Sequence, residues 1–205
     1  MKMKFAVLVL FFAVFSMAVA EPVYSQKTDF QITEIPKTVD EFLAMRDKTA
    51  KTPEGGAVML LVSLMKFTES EELGMQFLTI SLDRSNLEQG NVYRGFAPGG
   101  SIRMHLNRLK GASNNPMSYM FYAYVKGGAP ANQYNVALPY TVVLSRNRYS
   151  GTEESGVVKV FIDCYGVSAR PVTLRVDSNG NWKAHELSSM FLNVQPPIVE
   201  VTDDL

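Results

Sequence analysis

Twenty acidic and twenty basic residues in a 205-residue chain leave no net charge, and so no one-signed field of the kind that draws a protein to nucleic acid or anionic membrane. The single cysteine, Cys164, excludes an internal disulfide, so packing alone must hold the fold together. A chain of this length can bury a proper core in one domain.

Lys2 and Lys4 stand ahead of an apolar run from Phe5 to Ala20 that only Ser16 interrupts, and the small residues Ala18 and Ala20 close it. A short positive region, an apolar core and a small-residue end are the three parts of a secretory signal. The run is also near the short end of what crosses roughly 30 Å of hydrocarbon. Residues 1–20 are therefore expected to be a signal peptide cut after Ala20, with the rest exported to the periplasm or secreted. Loss of Lys2 and Lys4 takes the basic count from 20 to 18 against 20 acidic residues, a formal charge of −2. No second apolar stretch is long enough to span a bilayer, so stable membrane insertion is not expected after cleavage.

Residues 21–37 read as an extended leader, and residues 38–205 as a single α+β domain. Thr38-Val39-Asp40-Glu41 has the hydroxyl and the glutamate three residues later that satisfy free backbone N–H groups at a helix start. Thr52-Pro53-Glu54 opens a second helix, with proline where its missing donor costs nothing. Its body, Ala57 to Met65, is apolar on nearly every side and should be the most buried helix. Gly55 and Gly56 at its start permit close backbone packing or delay the regular helix. Thr68-Glu69-Ser70-Glu71 repeats the capping pattern and predicts a third helix beginning there.

Asn86 to Gly100 reads as irregular, Ser101 as the cap of a short helix through Lys110, and Gly111 to Pro116 as a break. Beyond it the apolar period moves toward two. Strands are expected at Ser118–Lys126, Tyr140–Arg146, Val157–Cys164, Pro171–Asp177 and Trp182–Leu187. The run Val158, Val160, Ile162 points Cys164 inward as a small hydrophobe. Between the last two strands, a three-residue loop Ser178-Asn179-Gly180 sets Trp182 against Val176 and Ala184 against Leu174, keeping the apolar faces together. Glycine at its third position suits the left-handed conformation such a loop needs.

Helices first and strands afterwards give an α+β class, with N-terminal helices packed on a C-terminal antiparallel sheet that can curve around a pocket. The element order and the closing Gly180-Asn181-Trp182-Lys183 strand resemble cone-shaped domains of the nuclear-transport-factor-like superfold. That resemblance implies an architecture and no particular function, since such scaffolds carry enzymes and inert binders alike.

Signals for common chemistries are missing. His105 and His185 are the only histidines, with neither a His-Glu-x-x-His nor a paired-cysteine spacing, so no metal site is expected. No serine sits in a Gly-x-Ser-x-Gly elbow, and the glycines from Gly95 to Gly100 lack the lysine-serine ending of a phosphate loop. No cofactor and no catalytic residue is predicted. Cys164 has no histidine near it in sequence.

Tyrosine is the feature that stands out. Tyr119, Tyr122, Tyr124, Tyr134, Tyr140 and Tyr149 fall in one stretch of the chain, and rings with a polar tip can line a groove for peptide or glycan. Tyrosine equally favours strands and half-buried positions, so sheet packing is the other reading. The candidate binding residues are Tyr119, Tyr122, Tyr124 and Tyr134, with Arg146 and Arg148 framing them. Three functions follow as expectations. The first is an exported non-catalytic binding domain whose partner is a peptide, a glycan or an envelope protein. The others are a small enzyme with a sheet-lined pocket and an assembly factor acting through a sheet face.

Overall fold

Every residue from Gly55 to Phe67 is buried, as an all-round apolar helix must be in a folded chain. Its one interior hydroxyl is satisfied: Ser63 Oγ donates to the Met59 carbonyl at 2.8 Å and faces Ser81 Oγ at 2.6 Å. The rest of the molecule is arranged around this helix. The computed structural model describes residues 27–110, 117–192 and 194–198. The expected signal peptide and the Gly111–Pro116 break lie outside them.

In chain order come strand β1 (Lys27–Ile32) and helices α1 (Val39–Thr49), α2 (Pro53–Glu69) and α3 (Glu71–Ser81). A small hairpin follows, β2 (Leu87–Tyr93) and β3 (Phe96–Pro98), then α4 (Gly100–Leu109) and the single turn α5 (Tyr119–Tyr122). Strands β4 (Tyr140–Ser145), β5 (Val157–Cys164), β6 (Val167–Val176) and β7 (Trp182–Glu186) complete the fold. The main sheet is antiparallel with order β1-β4-β5-β6-β7. The class is α+β. One sheet face, including Val142, Leu144, Val160, Ile162, Val172 and Leu174, is fully buried in a core shared with α2. α2 in turn packs against α1 and α3.

Local chemistry explains the helix starts. Thr38 Oγ1 accepts from the Glu41 N–H at 3.2 Å, while the Glu41 carboxylate accepts from the Lys37 N–H at 2.7 Å. Thr52 accepts from the Gly55 N–H at 3.1 Å ahead of α2. The two glycines there serve close approach. A methyl group on Gly55 would lie 1.7 Å from the Thr49 carbonyl oxygen, and one on Gly56 would lie 2.7 Å from Trp182 Cβ. The closing hairpin has the expected register, Val176 opposite Trp182 and Leu174 opposite Ala184, with Gly180 left-handed at φ +73.

Four expectations need correction. Thr68 does not cap α3: α2 continues to Glu69, and the Thr68 hydroxyl donates back to the Met65 carbonyl at 2.8 Å. α3 starts after Ser70 because Gly74 lets the two helices meet at a corner where a Cβ would come within 2.1 Å of Phe67 Cα. α4 is preceded by Gly99 as its cap residue, with Ser101 already inside the helix. The Asn86–Gly100 stretch holds the β2–β3 hairpin, turning at Arg94-Gly95 with both residues at positive φ.

The largest correction concerns Ser118–Lys126, which forms α5 and successive turns instead of a strand. A strand buries one face and alternates, but Met120 and Phe121 are both buried, as are Ala123, Tyr124 and Val125 in succession. Aromatic strand propensity is a preference for half-buried pleated surfaces, and packing on α2 overrides it here. The end of the segment does reach the sheet. β4 and β5 pair at Leu144–Ile162 and Ser145–Phe161, and beyond that point the segment bridges them. Lys126 N–H donates to the Thr141 carbonyl and Tyr165 N–H to the Ala123 carbonyl, both at 2.8 Å.

The segment read as leader is extended from Lys27 to Ile32 and pairs with β4 as the edge strand of the sheet. At the opposite edge, the Leu82–Asn86 segment covers β7. Asp83 N–H donates to the Ala184 carbonyl at 2.8 Å, and the Asn86 side chain donates to the His185 carbonyl at 2.7 Å. Covering an edge in this way leaves fewer backbone groups open to another chain.

Candidate functional site

A loop of unusual backbone conformation gathers the tyrosines. The Asn132 side chain donates to the Gly127 carbonyl at 2.8 Å and accepts from the Ala129 N–H at 3.0 Å, closing a tight turn from Gly127 onward. The next two residues, Gln133 and Tyr134, are left-handed at φ +54 and +58. For side-chain-bearing residues that region costs of order 1–3 kcal/mol each and persists only when the surroundings enforce it. Here the Tyr134 N–H donates to the Ala129 carbonyl at 2.9 Å, and its hydroxyl donates to the Gln195 carbonyl at 2.7 Å.

The result is a groove of about 430 Å³ between α5 and this loop, lined by Tyr119, Tyr122, Tyr134, Tyr140 and the amide side chains of Gln133 and Asn135. Tyr119 and Tyr134 stack with ring centres 5.5 Å apart, and Tyr122 meets Tyr140 edge-on at 5.7 Å. Tyr134 and Tyr140 are buried and form the floor, while Tyr119 and Tyr122 are half-buried and form the wall. Among the described residues no charged side chain lines the groove, and the Glu69 carboxylate is near enough to act on the Tyr122 phenol. Burial pushes the Tyr119 phenol up, and it pushes those of Tyr122 and Tyr134 up to about 12, with the Tyr140 phenol and the Glu69 carboxylate adding at Tyr122 and the Cys164 thiol and the Tyr119 and Tyr165 phenols adding at Tyr134. Near neutral pH the phenols are neutral, so Tyr119 and Tyr122 can donate to a ligand, while the Tyr134 proton is already given to the Gln195 carbonyl.

The remaining sequence candidates lie elsewhere. Tyr124 is a core residue whose hydroxyl donates to the Met190 carbonyl at 3.0 Å. Arg146 grips Glu54 through two hydrogen bonds of 2.5 and 2.6 Å and reaches Glu153 at 2.9 Å. Arg148 lies over the ring of exposed Tyr149 at 4.7 Å. Sequence reasoning did not single out Gln133, Asn135 or Tyr140 as binding residues. The left-handed turn that brings them in has no glycine to mark it.

Residues 34–198 match the family model described as "Domain of unknown function (DUF6935)". The chain belongs to that family. The matched span contains all four groove tyrosines together with α1 to α5 and β2 to β7. No curated protein and no solved structure matches the chain.

Two other clusters bear on chemistry. Asp83, Ser85 and His185 converge: His185 Nδ1 is 3.1 Å from Ser85 Oγ and 3.4 Å from Asp83 Oδ1. A serine-activating relay needs the acid on one ring nitrogen and the serine on the other, and here both face Nδ1. A cleft of about 800 Å³ on the outer sheet face is bordered by Lys27, Asp29, Lys126 and Asp163, which pair as Lys27–Asp163 at 2.5 Å and Lys126–Asp29 at 3.7 Å. Cys164 reaches this cleft but is buried, and desolvation pushes its thiol up, away from the reactive thiolate. Among the described residues, no group of three or more His, Cys, Asp or Glu is placed to hold a metal ion, and no helix is long and apolar enough to cross a membrane.

Proposed function

We propose that the domain is an exported, non-catalytic binding module of the cell envelope or secreted fraction, and that it holds a neutral glycan in the tyrosine groove. The observation that carries this reading is a groove lined, among the described residues, by four tyrosines, two amides and no charged side chain, built on a left-handed Gln133-Tyr134 pair. Sugar rings present flat C–H faces that suit aromatic rings, and their hydroxyls suit phenol and amide groups, which both donate and accept. Strained backbone concentrates where a binding surface requires it. The charged leader, apolar run and small-residue end of residues 1–20 support export.

The test is titration of the chain, freed of residues 1–20, with a panel of neutral oligosaccharides and extended peptides. Substituting Tyr119→Ala and Tyr122→Ala together should reduce glycan retention about tenfold or more, the loss typical of removing aromatic contacts at a binding site. Retention unchanged by the double substitution removes the support for the groove, and retention of peptides alone replaces glycan by peptide. For export, N-terminal sequencing of the cellular protein should begin at Glu21. A cytoplasmic product beginning at Met1 overturns that part.

A further inference from the structure

A second groove, independent of the tyrosine groove, lies where the end of α3, the β2–β3 hairpin and the β6–β7 loop meet. It measures about 550 Å³. Four cationic side chains line it, Arg46, Arg84, Arg94 and Lys183, against two carboxylates, Asp83 and Asp177.

Both carboxylates are used by the fold. Asp83 accepts from the Ser85 hydroxyl and N–H and lies 3.4 Å from His185 and 3.7 Å from Arg175. Asp177 Oδ1 accepts from the N–H groups of Asn179 and Asn181 at 2.8 and 2.9 Å, holding the hairpin loop. Among the described residues, no carboxylate pairs with Arg84 or Arg94. The ion pairs around the groove involve Arg46, Arg175 and Lys183 instead. The groove is thus left with excess positive charge.

Both arginines are exposed, and each guanidinium lies against an aromatic ring. The Arg84 guanidinium lies 4.2 Å from the Phe96 ring centre while donating to the Leu87 carbonyl at 3.0 Å, and that of Arg94 lies 5.2 Å from the Tyr93 ring centre. Stacking on a ring removes part of a guanidinium's mobility and leaves its edge donors for an oxyanion. Arg94 also occupies the first position of a two-residue turn at φ +46, where asparagine or glycine is the ordinary choice. Lys183 is 12% exposed and donates to the Ile80 carbonyl at the end of α3, with further N–H groups to spare. Ile80, Leu82 and Leu87 supply an apolar wall.

We propose that this groove binds a small organic oxyanion, a carboxylate or phosphate carried on a sugar-sized ring, with Arg84 and Arg94 holding the oxygens and the ring against the Leu82–Leu87 wall. Arg94 sits in an unfavourable turn conformation because its guanidinium is needed there.

The experiment is calorimetric titration of the full chain and its variants with a galacturonic acid trimer, glucose 6-phosphate and neutral maltotriose. At least one of the two anions should bind, which of them binding identifies the source of the oxyanion, and maltotriose should not compete for this site. Arg84→Ala with Arg94→Gly should weaken anion binding about tenfold or more, since two charge-assisted contacts are lost. Arg94→Gly suits the turn, so that variant should melt no lower than the parent, which separates lost affinity from lost folding. Tyr119→Ala with Tyr122→Ala should leave anion binding unchanged, so failure of either groove can be told from failure of the other. Absence of binding by both anions at millimolar concentration overturns the proposal, as does anion binding that Arg84→Ala with Arg94→Gly leaves within about twofold.

Discussion

The Tyr134 hydroxyl donates across 2.7 Å to the Gln195 carbonyl, tying the floor of the tyrosine groove to a segment 61 residues further along the chain. That segment is held a second time at the same loop, where the Ile198 N–H donates to the Pro130 carbonyl at 3.1 Å. Tyr134→Phe keeps the ring and its stack on Tyr119 while leaving a carbonyl without its partner. Stability should fall by about 1 kcal/mol, read by chemical denaturation, and groove affinity should change by less than about threefold. A loss of affinity without loss of stability would mean that the hydroxyl, not the ring, meets the ligand.

Alkaline pH should weaken the fold through the same groove. The phenols of Tyr122 and Tyr134 are raised from 10 to about 12, chiefly by burial. A phenol that keeps its proton longer when folded stabilises the folded state fully below its unfolded value near 10. That contribution is lost as pH rises through the window from 10 to about 12. Denaturation midpoints should drop across that window, and phenolate absorbance should show at least two tyrosines titrating late. Tyr122→Phe should remove one late tyrosine and make the drop shallower. Tyrosines that all titrate near 10 would show the groove open to water.

Gly56 packs directly against Trp182, and Trp182 N–H donates to the Ala50 carbonyl at 2.8 Å, so the start of α2, the end of α1 and strand β7 meet at one point. Gly56→Ala would ordinarily favour a helix, because alanine has the better helix propensity. Here its methyl group would sit 2.7 Å from both the Trp182 Cβ and the Trp182 carbonyl oxygen. Overpacking should outweigh propensity, lowering stability by about 1–3 kcal/mol in thermal or chemical denaturation. A stabilised variant would show that the contact relaxes freely.

What could be read in the sequence was whatever is decided within a few residues. Thr38 and Thr52 cap their helices with donors three residues on, and Gly180 with the apolar faces of β6 and β7 specifies the hairpin register. The α+β order followed from the change of apolar period. The groove was only partly legible, because Tyr119 and Tyr122 meet Tyr134 and Tyr140 through a turn at Gln133-Tyr134 whose left-handed conformation no glycine announces. The β2–β3 turn does carry a glycine, Gly95, but its other residue, Arg94, is not one that ordinarily takes a positive φ. On a strand over Ser118–Lys126, Tyr122 and Tyr124 are two residues apart and would share one face. On α5 and its turns the two separate, one to the groove and one to the core.

Arg146 offers a test that separates support of the fold from ligand contact. Its paired hydrogen bonds to Glu54 join the end of β4 to the first turn of α2, and its third reaches Glu153 in the loop before β5. The Glu54 hydrogen bonds hold the guanidinium pKa above its usual value, so Arg146 stays charged at any ordinary pH. Lysine keeps the charge but loses the planar fork that meets both carboxylate oxygens at once. Arg146→Lys should therefore lower stability by about 1–2 kcal/mol, since the pair is partly buried and doubly hydrogen-bonded. Glycan affinity in the tyrosine groove and anion affinity in the arginine groove should both stay within about twofold of the parent, because no part of Arg146 lines either cavity. A selective loss of glycan affinity at unchanged stability would place Arg146 at the ligand and extend the groove toward the Glu153 loop.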